Sequence, residues 1–71
     1  MMKNIAIFKN PRTGSFYTAD SNKVFAVYLP RGWWERAPKK VAKNGSEFII
    51  AYCVELTNKY GNPYYKIPNK Q

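Results

Sequence analysis

Ser46-Glu47-Phe48-Ile49-Ile50-Ala51-Tyr52-Cys53-Val54-Glu55-Leu56 decides the fold class. It is too rich in β-branched and aromatic residues for an exposed helix, and it reads as one long strand over 46–56. Side chains alternate faces along a strand. Phe48, Ile50, Tyr52, Val54 and Leu56 therefore share one face, which is expected to be core. Glu47, Ile49, Ala51, Cys53 and Glu55 share the other, which is small and mixed. Asn44-Gly45 precedes this strand, and Asn-Gly between two strand candidates is a strong hairpin signal of the type I′ kind. The partner strand is expected over 39–43, where Lys39, Lys40 and Lys43 suit a sheet edge.

Outward from this hairpin the chain is cut into similar pieces. Turn residues cluster at Asn10-Pro11-Arg12-Thr13-Gly14, Asp20-Ser21-Asn22, Pro30-Arg31-Gly32 and Asn58-Lys59-Tyr60-Gly61-Asn62-Pro63. The further strands are expected over 4–9, 15–19, 23–29 and 63–67. Val24-Phe25-Ala26-Val27-Tyr28-Leu29 is apolar on both faces and should be a central strand. Residues 33–43 are the sole helix candidate. Pro38 interrupts them, so at most one turn is expected around Trp33–Arg36. Short strands with frequent turns predict an all-β domain spanning 1–71. Its architecture is a small antiparallel barrel or curved sheet of about five or six strands, OB-like or SH3-like.

Size and composition agree with one small domain. A chain of 71 residues buries only about 60% of its unfolded surface, and twelve aromatic residues, 17% of the chain, can supply a compact core. Cys53, the single cysteine, cannot form an internal disulfide and reads as a small buried hydrophobe. The apolar runs are too short for a membrane span or a signal peptide. No amphipathic basic helix suggests membrane-surface binding. A cytoplasmic protein is expected. Lys, Asn, Ile and Tyr, 27 of the residues, are typical of AT-rich genomes, which fits a phage or mobile-element product acting in a host cytoplasm.

The composition argues against catalysis. Histidine is absent, which removes Ser–His and Cys–His nucleophiles and the commonest metal ligand. One cysteine and four carboxylates do not make a closed zinc site. Glu47 and Glu55 share a strand face but lie about 27 Å apart at 3.4 Å per residue, too far for a glycosidase pair. No glycine-rich phosphate loop is present. The expectation is a non-enzymatic binder without cofactor or metal.

Charge points to the partner. Twelve Lys and Arg against four Asp and Glu give +8, which favours polyanions. Residues 30–43 concentrate five cations, Arg31, Arg36, Lys39, Lys40 and Lys43, with both tryptophans, Trp33 and Trp34. Cations track phosphates and exposed rings stack bases, the combination that single-stranded nucleic acid requires. In an extended segment Trp33 and Trp34 would point opposite ways, one to the core and one outward. Tyr60, in a turn, is a further exposed ring, and one of Tyr64 and Tyr65 should be core. Lys9, Arg12 and Lys23 border the first two turns and could add a basic rim. The leading expectation is a module for single-stranded DNA or RNA. The alternative is a protein-interaction module, such as a phage-encoded inhibitor of a host complex or a small structural subunit, binding an acidic surface through the same residues. Either a monomer or a small homo-oligomer is compatible. The alternation of short strands with aromatic and basic loops resembles that of OB-fold binders; no diagnostic motif accompanies it, and no family is assigned.

Overall fold

The computed structural model describes residues 2–20 and 23–68. Six strands form in chain order: β1 Met2–Lys9, β2 Phe16–Asp20, β3 Lys23–Tyr28, β4 Lys40–Val41, β5 Glu47–Thr57 and β6 Pro63–Lys66. One helical turn, α1 Trp33–Arg36, lies between β3 and β4. The strand order is β1-β2-β3-β6-β5-β4, and β1 also pairs with β5. That last pairing closes a five-stranded barrel and leaves β4 as a flap on β5. β1, β2 and β3 follow one another through turns, and β5 returns beside β1, which is a Greek key. Among small barrels this matches the OB-like expectation. The β3–β6 pairing is parallel, so the barrel is mixed where a wholly antiparallel one was expected.

The turns follow local chemistry, with one correction. The Gly45 N–H donates to the Ala42 carbonyl (3.0 Å), and the Ala42 N–H to the Ser46 carbonyl (2.8 Å). The hairpin loop is therefore the three residues Lys43, Asn44 and Gly45, not a two-residue type I′ turn. Gly45 takes the left-handed conformation, φ 90°, that ends such a loop. The β5–β6 loop repeats this bonding from Asn58 to Asn62. Its geometry is fixed by Asn58 Oδ1, which accepts from the Tyr60 (2.9 Å) and Asn62 (3.0 Å) N–H groups.

The core is the barrel interior: Ile5, Ile7, Val27, Ile49, Ala51, Cys53, Tyr65 and Ile67. This reverses the expected faces of β5. Ile49 and Cys53 are fully buried, whereas Ile50 is 46% and Tyr52 49% exposed. Two physical facts decide the matter. A five-stranded barrel has a narrow bore, so Ala51 and Cys53 fit inside where Tyr52 and Val54 would overfill it. The register with β1 then sets Ile5 opposite Ala51 and Ile7 opposite Ile49, while Asn4 lies opposite Tyr52. Burying the larger β5 face would carry Asn4 inward with it. β3 is flanked by β2 and β6, as a central strand should be. Only its Phe25–Val27 face turns inward, leaving Val24 and Tyr28 exposed.

Candidate nucleic-acid interface

The expected tryptophan geometry is also corrected. Both Trp33 and Trp34 are half-buried and pack against the core. They lie on a helical turn, where neighbours differ by about 100° and not by the 180° of a strand. Gly32 starts this turn at φ 82°. The Trp34 ring meets Phe16 at 5.5 Å, and Lys39 Nζ lies 5.0 Å from its centroid. Lys39 also donates to the carbonyls of Ala37 (2.8 Å) and Trp34. This lysine closes the α1 turn and is not a free phosphate ligand. Arg31, Arg36, Lys40 and Lys43 are exposed. Tyr60 is 76% exposed but stands in the loop beyond Thr57. The β4–β5 hairpin lies at the other end of β5, about 30 Å away along the strand. No described ring contact or cavity joins Tyr60 to either tryptophan.

The outward faces of the strands hold an arrangement that the sequence reading missed. Following the register around the barrel, Lys40 pairs with Phe48, Phe48 with Phe8 and Phe8 with Tyr17. Tyr17 pairs in turn with Ala26, Ala26 with Tyr64 and Tyr64 with Leu56. Each residue belongs to a different strand or to the returning end of β5. They form one row running across the strands on the outside of the barrel. From Phe48 to Tyr64 the row crosses four strand spacings, about 19 Å at 4.8 Å each. Phe8 lies 5.3 Å from Phe48 and 5.7 Å from Tyr17 between ring centroids. Tyr64 meets Tyr28 edge-on at 5.3 Å, and Tyr28 is 61% exposed. Lys66 is paired with Tyr28 in the next rung.

Beside the row lies a concave groove of about 640 Å³, lined by Phe8, Lys9, Tyr17, Trp34, Val41 and Glu47, among others. It joins Trp34 and Lys9 to the rings of the row. Pro11 of the β1–β2 loop borders it, with Arg12 the next residue. Trp33 and Arg36 line a separate cleft of about 280 Å³ with Pro38 and Ile50.

Among the described residues no three metal-ligating side chains cluster, and no helix is long and apolar enough to cross a membrane. Cys53 is buried, and burial pushes its thiol up to about 11. The fold and the row define a class: a small basic Greek-key barrel with an aromatic outer face. The chain matches no protein-family model, no curated protein and no solved structure.

Proposed function

We propose that this chain binds single-stranded nucleic acid along the row Phe48–Phe8–Tyr17–Tyr64. The observation that carries the reading is the row itself. The rings of Phe48, Phe8 and Tyr17 sit on neighbouring strands and that of Tyr64 one strand further on, across Ala26, all partly exposed, and base–aromatic stacking contributes about 1–3 kcal/mol per base. Lys40 stands at one end of the row, and Lys66 lies in the next rung, opposite Tyr28 and two residues from Tyr64. Lys9 and Trp34 line the adjoining groove, and Arg12 follows that groove's Pro11 border. These cations would hold phosphates while the rings take bases. Arg31, Arg36 and Lys43 extend the positive field around them.

Duplex fits less well. α1 has four residues, too short to lie in a major groove as a recognition helix does. A flexible single strand can follow a curved row, and its bases are free to stack.

The length dependence of binding tests this. Fluorescence anisotropy with oligothymidylates of increasing length should show affinity rising to about four nucleotides, the length the row can seat, and gaining little per added base beyond it. Affinity that rises steadily with length, with no break, would mean diffuse electrostatic attachment and no stacking row.

A further inference from the structure

The groove beside the aromatic row carries a charge of the wrong sign for phosphate. Lys9 and Glu47 are its two charged lining residues. Each stands one residue beyond the Phe8–Phe48 pair, Lys9 after Phe8 and Glu47 before Phe48. The antiparallel register therefore brings them side by side at the end of the barrel. Among the described residues no hydrogen bond or ion pair engages the Glu47 carboxylate. An ionised carboxylate accepts hydrogen bonds and donates none. On a surface that draws phosphates, such a group weakens binding unless the strand brings it a donor. A nucleic acid carries those donors on its bases.

The rest of the groove suits a base. Phe8, Tyr17 and Trp34 supply apolar ring surfaces, and its volume is about 640 Å³. Small-molecule sites commonly enclose roughly 300–1,000 Å³ and combine aromatic walls with a few placed polar groups. Phe8 and Tyr17 belong to both the row and the groove, so a base of a strand lying on the row can turn into it.

We infer that the groove seats a guanine base of the bound strand, with the Glu47 carboxylate reading its Watson–Crick edge. Single-stranded bases leave that edge free to be read. Guanine alone among the common bases presents two adjacent donors there, N1–H and the N2 amino group. They match the two oxygens of one carboxylate, as paired donors do in other bidentate contacts. Adenine and cytosine present one amino group beside a ring-nitrogen acceptor. Thymine and uracil present one N–H between two carbonyls, which a carboxylate repels. Ser46 also lines the groove, and its hydroxyl can donate to guanine O6. The inference rests on single-strand binding along the row and adds to it a preference for one base.

The test is fluorescence anisotropy on the intact chain. It compares an oligothymidylate long enough to cover the row with the same strand carrying one guanine, hypoxanthine, adenine or cytosine at its centre. Guanine should tighten binding by at least about fivefold over thymine, the lower end of what a bidentate base contact discriminates. Hypoxanthine, which lacks the 2-amino group, should lose most of that gain. Glu47→Gln should abolish the guanine preference without lowering affinity for oligothymidylate, because Glu47 is exposed and its charge repels phosphate. Equal affinity for all the strands, or tighter binding of adenine or cytosine, would overturn the inference and leave the row in place. A guanine preference that survives Glu47→Gln would do the same. Failure of every strand to bind would overturn the row and this inference together.

Discussion

The ring of Phe8 stacks on that of Tyr17, with centroids 5.7 Å apart and planes inclined by 23°, where β1 and β2 are in register. Neither ring is needed to fill the barrel, since Ile7 and Thr18 occupy the adjacent inward positions. The pair holds two flat apolar surfaces at the middle of the row. Replacing either by Ala should weaken oligothymidylate binding by about 1–3 kcal/mol, roughly 5- to 150-fold, while the dependence on salt stays the same. Anisotropy titrations at two ionic strengths measure both quantities. Tyr60→Ala should change affinity by less than about threefold, because its loop lies off the row.

Adjacent lysines should behave differently. Lys39 bonds two carbonyls and covers the Trp34 ring. Lys39→Ala should lower stability by about 1–2 kcal/mol in urea unfolding. Lys40 is exposed beside Phe48. Lys40→Ala should leave stability within about 0.5 kcal/mol and flatten the slope of log affinity against log salt by about 0.7.

The inverted faces of β5 give a contrast within one dipeptide. Ile49 is buried in the bore, whereas Ile50 is nearly half exposed. Ile49→Ala should cost about 2–5 kcal/mol of stability, and Ile50→Ala less than about 1 kcal/mol. Urea denaturation of the two variants side by side decides it.

Cys53 introduces a pH dependence. Burial raises its thiol in the folded chain from 9.0 to about 11. Between those values the unfolded chain loses a proton that the folded chain retains, so stability falls with rising pH. The contribution is complete below pH 9 and is lost as pH rises through 11. The wild type should lose stability relative to Cys53→Ala across that window, and its thiol should react with Ellman's reagent at pH 8 only after denaturant is added.

Much of the fold was legible because turn chemistry is local. Asn44-Gly45 and Asn58 to Pro63 mark the two ends of β5, and Pro38 holds the helix to one turn at Trp33–Arg36. The burial of Cys53 followed from its apolar run, and alternation required one of Tyr64 and Tyr65 to be core without saying which; it is Tyr65. What failed was nonlocal. Alternation splits β5 into two faces but does not say which one a closed barrel turns inward. Bore width and the β1 register decide that, and both depend on residues some forty positions away. The same limit hid the row. Phe8, Tyr17, Phe48 and Tyr64 are scattered in sequence and meet only through strand pairing, whereas residues 30–43 drew attention because their charge and rings are contiguous.

The most direct test of single-strand binding along this row is intrinsic tryptophan fluorescence, with Trp34 as the reporter in the groove, titrated with single-stranded DNA and with duplex at two salt concentrations. The account predicts quenching by the single strand, weaker binding of duplex, and a slope of log affinity against log salt near −3, as about four phosphates held by Lys9, Arg12, Lys40 and Lys66 require. Tighter binding of duplex, or no binding of the single strand below about 100 μM at low salt, where even non-specific contacts register, would contradict it.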